Sequence, residues 1–548
     1  MALDFAKRHP YARWHGAKIV TTSDLDVIVI GSGLGGLTAA AYLATNGRRT
    51  LVLEQHWVAG GNAHVFRRKA LHGEQSFEFD VGVHYIGDCG PNGTIPTILR
   101  GVGLEDKIEF LEMDPDGFDT LMFPDFTFRV PKGWDRYRER LIAAFPDEET
   151  GLHRCLDVLE QKAPDLMQWA MRPLSELFDE CGLGQKVRAV LAGESGAYAV
   201  PPSRAPVILQ AGFIDHYLKG AYYPKGGGQV LPAHLVDVIR SNGGEVRTRA
   251  KTERILVEDG RACGVRLTTG EEFRAPVVIS NADLKRTVAE LVSAEHFSPE
   301  TVVKVDEYRM ALPIFCVYLG LDIDLRDRLP NSNVWFYDSY DIEGMYKDCD
   351  EGRMPADLGL FITMASVKDP DTEAIAAKGY TSMEVMMWVP PDHRLWAVED
   401  GPAAGERYHG NPDYRSFKDQ VMETLVDGVE RAIPGIKEHI IWKEAASPIT
   451  QEKYTLSTEG TSYGIEMATD QVGPMRPAPK TEIEGLYLAG ASTMFGHGIV
   501  GSMRGGVGCA SAVLDRDLMT DVESGQVFGD PSKLKGGGPG WDPWEASR

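Results

Sequence analysis

The chain has 548 residues, too many for one simple core, so two to four domains are expected. Its 57 Lys and Arg against 80 Asp and Glu leave a formal charge of −23, which argues against a nucleic-acid partner, since phosphate binding needs a basic face. A hydrophobic content of 43% and a charged content of 25% are those of an ordinary soluble globular protein.

Residues 1–20 contain no apolar run of the kind that opens a secretory leader, and no stretch elsewhere is long and apolar enough for a spanning helix. They carry Lys7, Arg8, Arg13 and Lys18 with Phe5, Tyr11 and Trp14 between them. Such an arm fits peripheral contact with an anionic membrane, and it fits a frayed terminus as well. Residues 25–30, LDVIVI, read as a short buried parallel strand. A glycine loop follows, then a helix through LTAAAYLATN with Gly47 as its stop, then the strand TLVLE at 50–54. That is a βαβ unit of the usual length.

Residues 101–222 show helical stretches near 135–145, 152–171 and 205–218. After YYPKGGGQ at 222–229 a helix runs to about residue 241, and 245–280 reads as a small β-meander with turns at Asp259-Gly260 and Thr269-Gly270. Strand candidates fill 309–390, a helix follows near 414–433, and GLYLAG at 485–490 is again a buried strand before a glycine loop and a helix at 500–518. The tail from 520 to 548, rich in Gly and Pro, is expected to be disordered. The seven cysteines form no CxxC pair, so neither a disulfide framework nor a metal site is expected, and the chain reads as cytoplasmic.

Gly31-Ser32-Gly33-Leu34-Gly35-Gly36 fits G-x-G-x-x-G between a strand and a helix, with Glu54 ending the next strand. Gly31 permits the turn, Gly33 lets the backbone approach a pyrophosphate, and Gly36 allows close helix–strand packing. The diphosphate sits on free N–H groups of the helix N-terminus and Glu54 accepts from a ribose. Two features favour FAD over NAD. Gly60-Gly61-Asn62 offers a second loop to the diphosphate, and the strand at 486–490 with Gly496, Gly498 and Gly501 offers a second strand–loop–helix whose dipole faces the pyrimidine end of a flavin.

VIVIGSGLGGLTAAAYLA, then Glu54 and the glycine pair, FEFDVGVHYIG, GAYYPKGGG and LYLAGASTMFGHGIVGSMRGG together resemble the phytoene desaturase and carotenoid isomerase superfamily of FAD-dependent oxidoreductases, nearest its retinol-saturase branch. The resemblance spans about residues 24–515. It implies an α/β fold with a Rossmann-like, glutathione-reductase-type FAD domain made of 24–100, 223–299 and 481–519, and a mixed-sheet and helical substrate domain made of 101–222 and 300–480. It implies an apolar polyene, isoprenoid or lipid substrate acted on at carbon–carbon double bonds, with an electron donor or acceptor outside the chain.

Carried over, the FAD contacts are Gly31, Gly33, Gly36, Glu54, Gly61, His84, the backbone of Thr252, Gly490, Ile499 and Val500; Ser32, Leu34, Gly35, Gln55, Gly60, Asn62, Val83, Ala491 and Gly498 complete the set. Two positions depart from the family pattern. Gly490-Ala491 stands where many relatives have Asp, and Asn62 where many have Arg, so Ser492 or backbone N–H groups would substitute. The catalytic candidates are His84, Tyr85 and His497. His84 is expected to titrate near neutrality if it moves a proton, and a structural role beside the flavin is open as well. Lys225 fits a phosphate or a surface position better than catalysis, and Met494 and Phe495 fit packing or a substrate wall. Two alternatives stay open: an amine or amino-acid oxidase on the same scaffold, and a non-catalytic prenyl-binding escort.

Overall fold

The computed structural model describes residues 25–162, 166–538 and 540–548, so the basic arm at 1–20 lies outside the described residues. The short apolar runs pair as an all-parallel sheet of five strands in the order Glu245–Arg247, Thr50–Leu53, Val27–Ile30, Val277–Ser280, Leu486–Leu488. Strands this apolar must be covered on both faces. The helices Leu34–Thr45, Val230–Ser241 and Gly498–Leu514 contribute to one covering core. An antiparallel meander, Thr252–Glu258, Arg261–Leu267 and Glu272–Arg274, contributes to the other. The meander is shorter than expected, because Glu245–Arg247 and Val277–Ser280 at its ends belong to the parallel sheet.

A second sheet of seven strands carries the order Ile440–Ala446, Ile314–Leu321, Thr381–Trp388, Gly359–Thr363, Asn333–Tyr337, Asp119–Phe123, Phe126–Val130. Only the pairing of Asn333–Tyr337 with Asp119–Phe123 is parallel. Alternation sorts its side chains. Phe315, Val317, Leu319, Val385 and Met387 pack with Leu425 and Val429 of the helix Pro412–Ala432. Cys316, Tyr318, Met386, Trp388, Phe361 and Trp335 share the opposite core with Leu156, Val187, Val207 and Ile214 from the helices of the 101–222 segment. In that segment the helix expected over 152–171 ends at Leu159, and Gln161 takes a left-handed φ of 61°.

The described residues of the tail, 520–538 and 540–548, pack on the body of the protein, contrary to the compositional expectation of disorder. Its glycines and prolines shape a strap, and its aromatic and charged residues fasten it. Asp542 takes both terminal nitrogens of Arg67 at 2.6 and 2.9 Å, while Arg67 Nε holds Glu78 at 2.7 Å. The Trp544 ring meets Trp57 at 5.1 Å, and Arg548 covers Trp544. Ala59 N–H donates to the Ser547 carbonyl at 2.8 Å, so the strap ends on the back of the second glycine loop. Composition signals a lack of regular structure here, not a lack of partners.

Trp544→Ala is expected to cost about 1–2 kcal/mol, part of the value for full burial of a large side chain. It should also weaken FAD binding through residues 58–61. Thermal unfolding with and without FAD measures both effects. An unchanged melting temperature and FAD affinity after removal of residues 530–548 would mean the strap bears on neither.

Candidate functional site

Three parallel strands deliver their carboxyl ends to one point: Val27–Ile30 runs into Gly31, Thr50–Leu53 into Glu54 and Val277–Ser280 into Asn281. That edge of an open α/β sheet is where ligands bind. A cavity of about 570 Å³ opens there and extends to Ile314, Cys316, Tyr318 and Met386 of the seven-stranded sheet.

At the sheet end the wall contains Gly31, Gly33, Leu34 and Gly35. Gly36 stands outside it and serves packing, since a Cβ there would meet the Gly31 carbonyl at 2.3 Å. Gly60 and Gly61 enter the wall from the second loop, bridged to Gly33. Gly61 has φ +55° and a Cβ on it would lie 2.9 Å from the Gly33 Cα, so this approach needs glycine twice over. His64, in the same wall, fixes the loop with Nδ1 2.6 Å from the Gly61 carbonyl; burial pushes its imidazole down to about 4.

Glu54 organises this corner. Its carboxylate accepts from Ser32 N–H at 2.9 Å, Ser32 Oγ at 2.7 Å and His56 N–H at 2.7 Å. A carboxylate offers about four acceptor positions, which leaves one for a ribose hydroxyl. Ser32 therefore differs from its expected role: it is fully buried, receives Gly60 N–H on its Oγ at 3.2 Å and ties the two loops instead of forming wall. Gln55 and Thr252 line the cavity beside Glu54, and Thr252 Oγ1 is buried without a partner. Asn62 also lines it, but its amide is engaged by Gln451 Nε2 at 2.8 Å and the Ser462 carbonyl at 3.2 Å. The Asn62 side chain thus joins the helix Pro448–Thr455 to the segment at 462.

Asn281 was not singled out in the sequence. Its backbone N–H donates to the Ile30 carbonyl at 2.9 Å, and its side chain fills the gap between the two glycine units. Cβ atoms placed on Gly35 and Gly490 would lie 2.7 and 2.5 Å from its Oδ1. Asn281 thus holds the space between Gly35 and Gly490. The available signal was an Asn directly after the apolar run VVIS. Arg476 was missed too. Buried and pushed down to about 10, it donates to the carbonyls of Ala491 at 2.6 Å, Thr493 at 2.9 Å and Ile465 at 2.9 Å, which fixes the C-terminal loop.

From that loop Gly490, Ala491, Ser492, Gly498 and Ile499 line the cavity. Val500 does not; it packs toward the core beneath the parallel sheet. Val83 and His84 form wall where the cavity nears the seven-stranded sheet. Burial, and then the Lys368 ammonium, push the His84 imidazole down to about 3, so it stays neutral and does not titrate near neutrality as expected; its Nδ1 has no partner. Tyr85 turns away, its hydroxyl donating to Asp119 Oδ2 at 2.9 Å and its ring on Tyr217 at 4.4 Å. His497 stands at the residue before the helix Gly498–Leu514 without bonding its first N–H groups, outside the wall and 4.7 Å from the Tyr463 ring. Lys225 is paired with Glu109 at 2.8 Å on the surface, and Phe495 is exposed outside the cavity.

These residues fit FAD. No side chain caps either glycine helix, so their first N–H groups are free for a diphosphate at one end and a flavin pyrimidine at the other. The glycines leave room for backbone contact, and Thr252 and His84 hold unpartnered polar atoms in the wall. Glu54→Ala should weaken FAD binding by about 1.5–3 kcal/mol, one to two powers of ten in Kd. Asn281→Leu, which crowds Gly35 and Gly490, should lower it with the fold retained. Fluorescence titration of apoprotein with FAD reads both, and a wild-type Kd in Glu54→Ala would cancel the ribose assignment.

The family model described as flavin containing amine oxidoreductase matches residues 34–380. All-trans-retinol 13,14-reductase of Macaca fascicularis is 30% identical, over 91% of this chain and 87% of its own length. Prolycopene isomerase 2, chloroplastic, of an Oncidium hybrid cultivar is 25% identical over 90% of this chain and 85% of its own. The crystal structure of an oxidoreductase from Methanosarcina mazei aligns with a TM-score of 0.64 at 17% identity, covering 90% of this chain and all of that one, and shows the same fold. The chain belongs to the flavin containing amine oxidoreductase family, and its cofactor is FAD.

Proposed function

We propose that this oxidoreductase acts on carbon–carbon double bonds of an apolar polyene or isoprenoid. The observation that carries the reading is one row of the seven-stranded sheet. Register places Ala446, Cys316, Met386, Phe361, Trp335 and Leu121 side by side. The first three pave the cavity wall where it meets the seven-stranded sheet, and the others continue the row into a buried aromatic core. A polyene offers no polar handle and is held by such apolar and aromatic surface. The likeness to a retinol reductase and a prolycopene isomerase supports the same substrate class.

Bound FAD supplies the hydride chemistry. The chain contributes position and dryness. Gly33, Gly61 and Glu54 would hold the diphosphate and ribose, the Gly490–Ile499 loop the ring, and the apolar row would lay a double bond against it. Neutral His84 is suited to orienting a ligand through Nδ1, not to carrying a charge. The electron partner is proposed to be a separate donor or acceptor. The arm at 1–20 supports peripheral membrane delivery of the substrate, and no helix among the described residues is long and apolar enough to cross a membrane.

Anaerobic mixing of the reduced holoprotein with a retinoid or a carotenoid should reoxidise the flavin and yield a product two mass units heavier, or isomerise the polyene. Peroxide release with amines and no change in any polyene would favour the amine-oxidase alternative. His84→Gln, compared at equal flavin content, should keep the wild-type pH profile between pH 5 and 8, because an imidazole at about 3 is neutral across that window. Loss of an inflection near 6.5 in the variant would reverse that assignment.

A further inference from the structure

A segment from far along the chain crosses the mouth of the FAD cavity. In the parallel sheet Val27–Ile30 lies between Thr50–Leu53 and Val277–Ser280, so the first glycine loop sits between the loops that follow those two neighbours. Residues 448–464 are bonded to both of those loops. They include the helix Pro448–Thr455 and the turn Thr458–Gly460, and they bring Gln451, Tyr454, Ser457 and Tyr463 into the cavity wall. The segment therefore arches over the glycine loop. It ends against the C-terminal loop, where Ile465 N–H donates to Ser492 Oγ at 3.4 Å and a Cβ on Gly464 would lie 2.5 Å from that oxygen.

Its two footings differ in chemistry. On the side of Thr50–Leu53 neutral amides hold it. Gln451 Nε2 donates to Asn62 Oδ1 at 2.8 Å, Asn62 Nδ2 to the Ser462 carbonyl at 3.2 Å, and Gln55 Nε2 to the Tyr454 carbonyl at 2.8 Å. The Tyr454 ring, exposed, stands edge-on to His56 at 5.2 Å. On the side of Val277–Ser280 carboxylates hold it. Asp283 accepts from Thr458 N–H and from Thr458 Oγ1, each at 2.8 Å. Glu452, buried and outside the wall, lies 2.6 Å from His393 Nε2, accepts from Ala403 N–H at 3.0 Å and faces the Arg286 guanidinium at 3.5 Å. Bonds to charged groups are stronger than bonds between neutral ones, so the amide footing opens first and the carboxylate footing stays. Leu456, between the helix and the Thr458 footing, holds a left-handed φ of 55°, rare for such a side chain and kept by the bonds on either side.

We propose that residues 448–464 are a clasp on FAD, with the amide bonds of Gln55, Asn62 and Gln451 as its latch and the Glu452 and Asp283 footing as its hinge, and that FAD enters and leaves only when the latch opens. The latch bonds join protein to protein and need no ligand to form. Opening therefore precedes binding, and it precedes release. Gln451 is then a gating residue. A residue that merely touched FAD would slow its exit and leave its entry alone, whereas a latch slows both.

Kinetics of FAD exchange separate the two cases without any substrate. Stopped-flow mixing of apoprotein with FAD, followed by flavin fluorescence, gives the entry rate. Exchange of bound FAD in the holoprotein for excess radiolabelled FAD gives the exit rate. The wild-type entry rate should level off as FAD concentration rises, because unlatching becomes limiting. Gln451→Ala should raise that ceiling and the exit rate together by about fivefold, the factor for one neutral hydrogen bond, and leave Kd within about twofold. Should that variant fail to fold, Asn62→Ala, which loses the bonds to Gln451 and Ser462, is read in the same way. A wild-type entry rate that stays linear in FAD to the fastest measurable values would overturn the clasp with no variant at all. So would a Gln451→Ala protein whose exit rate and Kd rise in step while entry is unchanged, since Gln451 would then be an ordinary contact.

Discussion

Asn281 occupies the one space that two distant parts of the chain both need. The first glycine unit begins after residue 30 and the second after residue 488, yet Gly35 and Gly490 come so near that a Cβ on Gly35 would lie 2.8 Å from the Gly490 backbone. The Asn281 side chain fills what remains between them, anchored by its own strand. Around that contact the helices Leu34–Thr45 and Gly498–Leu514 pack so closely that a Cβ on Gly506 would meet the Gly35 carbonyl at 2.5 Å. The cofactor cavity is what these constraints leave open, and the glycines are there because backbone, not side chain, must form its wall.

The same economy governs the seven-stranded sheet. Its inner face offers the cavity an apolar row and, two residues away, a polar one from Glu444 through Tyr318, Glu384 and Thr363 to Asn333 and Asp119, and strand register alone produces both. The segment from Asp80 to His84 is pinned at each end to the polar row, by Glu384 and by Lys368, and between those ends it forms wall beside the second glycine loop. Positioning of the cavity wall is therefore a consequence of hydrogen bonds made on the seven-stranded sheet side of that segment.

Much of the cofactor half was legible in the sequence because its determinants are local. G-x-G-x-x-G, Glu54 and Gly60-Gly61 sit within about one βαβ unit, where spacing translates directly into geometry. What depended on long-range pairing was not legible. Asn281 reads as a residue after a strand until both glycine loops are in place. The polar row exists only through the register of six strands drawn from residues 119 to 446. Tyr85 follows His84 in sequence, but the Asp119 that draws its hydroxyl away arrives from another strand. His84 was expected to titrate near neutrality because its degree of burial cannot be read from GVHYIG. The tail misled for a different reason: Asp542, Trp544 and Arg548 are partners for Arg67 and Trp57, and low regularity hid them.

The central claim is that the two remote glycine units close on a single FAD. Hydrogen–deuterium exchange of the apoprotein with and without FAD tests it most directly. Peptides covering residues 31–36, 58–62 and 490–500 should all gain protection together on addition of FAD, at one common saturation point. Protection confined to the N-terminal unit, with 490–500 exchanging as in the apoprotein, would contradict the account.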